Sequence, residues 1–199
     1  MLTLTNSDII QTLEFLAGDV IKADNGTTDA LISEELSENG DVNGYLLVFL
    51  SGNLIGQEAY IESTSETTYT LDTTLTDEIT NKTKFAYLET GYQSFIQRAS
   101  NIIEDLFRNK AMKLELFLNT AQLKELHIYK TIELICLSKR KGATDDDAYH
   151  SNYLAFKELF EESFSSLVAD YDYDEDGNID TDEELSNIGQ VSFVRWKRY

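Results

Sequence analysis

The chain has 199 residues, 42% of them hydrophobic, and carries a formal net charge of −20. This length allows a hydrophobic core without disulfides, and the acidity argues against a sequence-independent grip on nucleic acid and favours contact with cations. An acidic surface that only keeps the protein soluble is the alternative explanation. No apolar run reaches membrane-spanning length and no export signal follows Met1, so we expect a cytoplasmic origin and no membrane partner.

The first part of the chain has the signals of short helices. Residues 5–11 form a cap followed by an apolar stripe, and Gly18 suits the end of that helix. Residues 24–26 predict a turn, and Asp29 predicts the cap of a second helix that continues to residue 36. We therefore assign residues 1–40 to an N-terminal helical segment of a bundle.

Residues 41–90 have the turn signals and alternation of a β-rich region. Asn43 and Gly44 form a turn signal before an apolar run at 45–50 that predicts a buried strand. Polar and apolar residues alternate over 69–73, and residues 85–88 predict a further strand. We interpret this region as a small antiparallel β unit inserted into a helical protein.

From residue 91 the apolar spacing becomes helical. Apolar positions over 92–107 recur every three or four residues, and a second helical stretch covers 120–141. A third helix is expected from residues 144–147, which supply a cap and first-turn acids. We predict a mainly α fold with a β insertion, an α+β chain in which residues 91–170 are the helical core. The third helix carries a large aromatic stripe that suits a core or a subunit interface: Tyr149, Tyr153, Phe156, Leu159, Phe160, Phe164 and Leu167.

Signals of catalysis are weak in this sequence. His127 lies inside the second helical stretch and His150 at the start of the third, and neither has a Ser or Cys arrangement nearby that forms a nucleophile pair. Cys136, the single cysteine, lies in an apolar run and is expected to be a small buried side chain. Phosphate-loop glycines and zinc-ligand spacings are also missing from the sequence. We predict that the protein is not an enzyme.

The segment from Asp172 to Glu183 matches the calcium loop of EF-hands position by position. In such loops, about six to eight oxygens converge on Ca²⁺, a glycine at the sixth position permits a sharp turn, and the last glutamate binds with both oxygens. Gly177 is that glycine, and Ile179 anchors the loop on apolar neighbours. The predicted Ca²⁺ ligands are Asp172, Asp174, Asp176, Asn178 (through its backbone carbonyl), Asp180 and Glu183.

The alternative explanation of this segment is an acidic turn that caps a short helix without a metal ion. The sequence contains no second loop of this kind, and Asn187–Gly189 soon ends any helix that follows Glu183. Because EF-hand sensors usually work as helix pairs that open, we expect calcium instead to fasten the aromatic helix to the tail.

The tail differs in charge from everything before it. Residues 191–199 alternate as a strand does and contain only basic charged residues, and Trp and Arg are the residue types that most often anchor interfaces. We predict a C-terminal arm, within a loop-and-arm segment 171–199, that docks on a neighbouring copy or another partner by strand addition. The alternative is a tail packed on its own acidic domain. The predicted partner-binding residues are Phe193, Arg195, Trp196, Lys197, Arg198 and Tyr199.

The helical half, with a looser match at Met1–Leu4, resembles the head–tail connector proteins of tailed bacteriophages, also called head-completion or adaptor proteins. The resemblance covers residues 92–199. It is carried by the helix at 91–107, the long helix at 121–138, the helix start at 145–149, the spacing of Tyr153, Phe156 and Phe160, the acidic loop at 172–177 and the basic strand at 194–196.

This resemblance implies a non-enzymatic virion protein, assembled in the host bacterial cytoplasm as a homo-oligomeric ring, commonly of twelve copies, beneath the portal. It implies contacts with the portal protein and with tail or neck proteins, and a channel through which DNA passes without sequence-specific binding. The β unit at 41–90 is not part of the family's helical bundle. The alternative function is a calcium-binding, EF-hand-like interaction module that is not associated with virions.

Overall fold

The structure is a computed structural model that describes residues 4–110, 112–117, 120–140, 147–167, 169–172 and 184–185. Two compact units divide the chain: Thr5–Gln93 forms one, and the chain from Ser94 onward belongs to the other. The first is built on an antiparallel sheet and the second on helices, which confirms the prediction of an α+β chain. Within the described ranges, no helix is long and apolar enough to cross a membrane.

The sheet unit begins with helix α1 (Asn6–Thr12), followed by a 3₁₀ turn at Glu14–Ala17. A short helix, α2 (Glu34–Ser37), and a second 3₁₀ turn at Gly52–Leu54 lie between its strands. The strands are β1 (Val20–Lys22), β2 (Asn25–Gly26), β3 (Ala30–Ile32), β4 (Leu46–Phe49), β5 (Glu58–Ser65), β6 (Thr68–Leu71) and β7 (Lys84–Leu88).

The sheet closes on itself. Its strand order is β1-β7-β4-β5-β6-β3-β2, with every neighbouring pair antiparallel. Only Ala23 and Asp24 separate β1 from β2; the N–H of Ala23 donates to the carbonyl of Thr83 (2.9 Å), and that of Asp24 donates to Ile32 (3.0 Å). The bent stretch from β1 to β2 therefore pairs with β7 at one end of the strand order and with β3 at the other, which closes the sheet. The buried cluster of this unit includes Ile21, Leu31, Leu36, Leu47, Phe49, Leu54, Ile61, Tyr69 and Phe85.

The assignment of residues 1–40 to a helical segment was wrong for most of their length. Residues 20–32 contribute three strands to the closed sheet, so the sheet is not an insertion confined to 41–90. Asp29 does not cap a helix; its side chain accepts a hydrogen bond from the Thr27 hydroxyl, and Ser33 caps α2 instead. Strands of two or three residues hold too few alternating positions to be recognised from sequence.

Helix α1 is fixed at its start by side-chain hydrogen bonds, as its sequence predicts. Thr5 and Asp8 form a capping box, in which each side chain accepts from the other residue's backbone N–H. Glu58 on β5 accepts from the Asn6 amide (2.7 Å), and the Asn6 amide oxygen accepts from the N–H of Tyr92 (2.5 Å). These bonds satisfy buried polar groups and place a carboxylate at the positive end of the helix.

The helical unit contains α3 (Gln93–Arg108), a 3₁₀ turn (Leu114–Leu116), α4 (Ala121–Lys139) and α5 (Ala148–Ser165). Two-residue strands follow at Ala169–Asp170 (β8) and Glu184–Leu185 (β9). The three predicted helices are present close to their predicted bounds, and Asp147 caps α5 by accepting from the N–H of Tyr149 (2.9 Å). The buried cluster of this unit comprises Ile103, Phe107, Met112, Phe117, Leu123, Leu126, Phe160, Leu167 and Tyr171.

Cations lie over several rings of the α5 aromatic stripe. The Lys130 ammonium is 4.7 Å from the centre of the Phe160 ring, and the Arg140 guanidinium is 5.0 Å from that of Tyr153. Contacts of this kind contribute about 0.5–1 kcal/mol at exposed sites and about 2 kcal/mol where they are desolvated. Phe160 is buried, whereas Leu159 is 38% exposed, so the predicted stripe is part of the core on one side only.

Candidate metal loop and adjacent cleft

Only the first predicted calcium ligand, Asp172, lies within the described residues. The other predicted ligands, Asp174, Asp176, Asn178, Asp180 and Glu183, lie outside them, as do the predicted arm residues Phe193, Arg195, Trp196, Lys197, Arg198 and Tyr199. In the described ranges, no group of three or more His, Cys, Asp or Glu residues is placed to hold a metal ion. A calcium site would therefore depend on residues 173–183.

The residues that lead into the acidic loop are bonded to the segment between α3 and α4. Tyr171 forms an antiparallel bridge with Phe117, and the N–H of Asp172 donates to the carbonyl of Leu116 (2.9 Å). The Tyr171 hydroxyl accepts from the N–H of Lys113 (3.1 Å). Asp172 is buried, so the backbone of the first loop position is held in a defined place on the helical unit.

The base of the loop is a strand pair. β8 and β9 are antiparallel, with Ala169 opposite Leu185 and Asp170 opposite Glu184. An EF-hand has helices on both sides of its loop, whereas here α5 ends at Ser165 and β8 precedes the loop. The predicted fastening of the aromatic helix to the tail by calcium depends on residues outside the described ranges, and the described flanks of the loop are strands. This strand pair holds the residues that flank the loop side by side, as ligands at the first and last loop positions require.

A chain of aromatic contacts connects α5 to the loop. The ring centres of Phe164 and Phe107 are 5.6 Å apart, those of Phe107 and Phe117 are 5.0 Å apart, and those of Phe117 and Tyr171 are 5.0 Å apart. All three pairs are edge-to-face, a geometry that contributes about 0.5–1.5 kcal/mol beyond area burial. The position of Asp172 therefore depends on packing in the core of the helical unit.

A cleft with a volume of about 650 Å³ lies beside this anchor, a size typical of binding pockets. The segment 112–117 forms one wall and is the same segment that bonds to Tyr171 and Asp172. The described lining is apolar at Ile103, Met112, Leu114, Phe117 and Leu123, and polar at Ser100, Glu104, Arg108, Lys113, Glu115, Thr120 and His127. Sequence patterns missed this cleft, because 112–117 is a short irregular segment with no helical or strand period.

The charges at the rim of the cleft are mixed. Arg108 forms ion pairs with Glu104 (2.8 Å) and Asp105 (3.0 Å), and all three side chains are more than half exposed. Solvent screens such pairs, so they add little stability, but they balance the Arg108 charge locally. Glu115 is exposed at the same rim and contributes a negative charge.

Neither His127 nor Cys136 is prepared for nucleophilic chemistry. Burial lowers the pKa of His127, and its Nε2 lies 3.0 Å from the carbonyl oxygen of Ile96. Burial raises the pKa of the Cys136 thiol to about 11, and this residue is fully buried, which confirms its predicted role as a core side chain. A thiol with so high a pKa is a poor nucleophile at neutral pH.

The lowered pKa of His127 predicts a pH-dependent stability. Well above pH 6.5 the imidazole is neutral in both the folded and unfolded chains. Below that value the unfolded chain takes up the proton first, so acidification should reduce the free energy of unfolding. We expect His127→Gln, whose amide can still donate to Ile96, to reduce this loss in denaturant titrations carried from neutral pH to below about pH 6.5. A parallel decline in both proteins would contradict the assignment.

Comparison with protein-family models, with curated proteins and with solved structures found no match to this chain.

Proposed function

We propose that this chain is a structural virion protein, a head–tail connector that forms a ring beneath the portal and joins the capsid to the tail around the DNA channel. The observation that carries the proposal is that helices α3, α4 and α5 span the residues on which the family resemblance rests. The same unit contains the entry to the acidic loop. Its proposed partners are copies of itself, the portal protein and tail or neck proteins, and it performs no catalysis.

The negative net charge of the chain favours the passage of DNA through a channel but opposes the assembly of several copies. An acidic lining lets DNA pass without a phosphate grip, whereas copies with a net charge of −20 repel each other unless salt or bound cations screen the charge. Ca²⁺ bound between Asp172 and Glu183 would neutralise several carboxylates at one point and fix the start of the arm. The basic arm itself offsets charge where it docks.

Electron microscopy and mass measurement of the full-length protein, alone and co-expressed with the portal encoded in the same genome, test this proposal. We expect a closed ring, commonly twelvefold, that is favoured by calcium and by salt because both reduce repulsion. A protein that stays monomeric in both preparations would contradict the connector function. A ring that is equally stable in chelator and low salt would contradict the roles given to calcium and to salt, but not the connector function.

The second candidate is a calcium-binding interaction module unrelated to virions. Its support is the cleft, whose wall at 112–117 is bonded to the first position of the acidic loop. Such a module would be a monomer that binds a peptide more tightly in calcium than in chelator. The mass measurement above separates the two functions directly.

A further inference from the structure

We propose that the cleft of the helical unit is the docking site for the chain's own residues 191–199 before assembly. We call these residues the arm. The idea that the arm is stored until an assembly partner displaces it rests on the proposed connector function. Its docking in the isolated chain rests on the geometry and chemistry of the cleft.

The exit point of the chain lies close to the cleft. β9 runs antiparallel to β8, so from Glu184 to Leu185 the chain runs in the direction from Asp170 to Ala169, towards Leu167. Leu167 is buried in the same cluster as Met112 and Leu123, which line the cleft. Residues 186–190 can span up to about 17 Å when extended. β9 therefore pairs with a strand that directly follows a residue of the core shared with the cleft, and the linker adds reach from there.

The arm and the cleft are chemically complementary. The cleft offers an apolar wall that includes Met112, Leu114 and Phe117, and its rim carries Glu115 beside the paired Glu104 and Arg108 and the cation of Lys113. The arm supplies large aromatic side chains and three basic residues, with no acidic residue. Aromatic and arginine side chains are the usual anchors of such pockets. The arm residues concerned are Phe193, Trp196 and Tyr199, with Arg195, Lys197 and Arg198.

Docking within one chain is favoured over docking between free copies. A short tether raises the local concentration of the arm at its own cleft to the millimolar range. Two free copies, in contrast, must first overcome the repulsion between acidic surfaces. The cleft of a neighbouring copy would become available only when the ring, the portal or added salt brings copies together.

Trp196 reports on this contact directly, because it is the only tryptophan in the chain. In the full-length protein, we expect its fluorescence to be shifted to short wavelength and protected from acrylamide. Both properties should be unchanged on serial dilution, since a contact within one chain does not depend on protein concentration.

Two cleft variants and one control test whether the arm docks in the cleft. Leu114→Glu places a charge in the apolar wall, and Glu115→Lys reverses an exposed charge at the rim without touching the core. Each should move the Trp196 emission to longer wavelength and increase quenching. Glu158→Lys, the matched charge reversal on the exposed surface of α5, should leave both unchanged.

Three outcomes would overturn the proposal: a solvent-exposed Trp196 in the wild-type protein, an emission unaffected by both cleft variants, or a short-wavelength emission lost on dilution. The last would place the arm on another copy. An exposed Trp196 in a protein that still forms portal-bound rings would reject the stored arm while leaving the connector function intact.

Discussion

Phe107→Ala is expected to lower the free energy of unfolding of the helical unit by about 3–5 kcal/mol. Phe107 is fully buried and forms edge-to-face contacts with Phe117 and Phe164. Truncation removes the transfer free energy of the ring, opens a cavity and removes both aromatic contacts. Denaturant titration followed by the helical circular dichroism signal measures the change. Because Phe117 also contacts Tyr171, the variant should weaken the anchor of the acidic loop as well.

Phe15→Ala provides the matched control, since this phenylalanine is 45% exposed in the sheet unit. We expect it to cost less than about 1 kcal/mol, because much of the ring already contacts solvent. The two units can unfold separately, so the helical and sheet signals should be fitted independently. Equal losses in the two variants would show that the aromatic chain does not organise the core of the helical unit.

Calcium at a hundredfold excess over its dissociation constant is expected to raise the free energy of unfolding of the helical unit by about 2.7 kcal/mol. The physical reason is that the unfolded chain does not bring the ligands together, so calcium binds only the folded loop. The double variant Asp174→Asn with Glu183→Gln keeps the side-chain sizes but removes two carboxylate charges. It should abolish the stabilisation.

The control for this experiment is Asp77→Asn with Glu78→Gln, which removes two exposed carboxylates from the sheet unit. This protein should respond to calcium as the wild type does, because its loop is intact. A calcium effect of the same size in the loop variant would mean that calcium screens the general negative charge and does not bind between Asp172 and Glu183.

The helices were predictable because their apolar spacing is long and regular. Ile96, Ala99, Ile103 and Phe107 are all buried on α3, as the three- and four-residue spacing indicated. The start of α5 was also predictable, since an acidic cap precedes it and Asp147 makes the capping bond. These helices have 16 to 19 residues, so their apolar period can be recognised even where a single residue departs from it.

The closed sheet was only partly predictable. Strands β4 and β7 are apolar runs and were recognised, whereas β1, β2 and β3 contain two or three residues each. Closure depends on Ala23 and Asp24 donating to opposite neighbours, Thr83 and Ile32. A bend of this kind is set by long-range pairing and has no local sequence signature.

In the candidate site, the loop motif was predictable from local sequence, whereas its anchor and the cleft were not. The spacing from Asp172 to Glu183 is a local motif, and sequence alone identified it. Its anchor is not local: Tyr171 accepts from Lys113 across 58 positions of the chain, and the cleft combines α3, α4 and the segment between them. Neither feature follows from residue spacing, because each depends on how the helices pack.

Calorimetric titration of the chelator-treated, full-length chain with calcium chloride tests the metal loop most directly. The prediction is one calcium ion bound per chain, with binding lost in Asp174→Asn with Glu183→Gln and retained in Asp77→Asn with Glu78→Gln. An absence of binding heat up to millimolar calcium, or equal heat in the two double variants, would contradict a calcium site between Asp172 and Glu183.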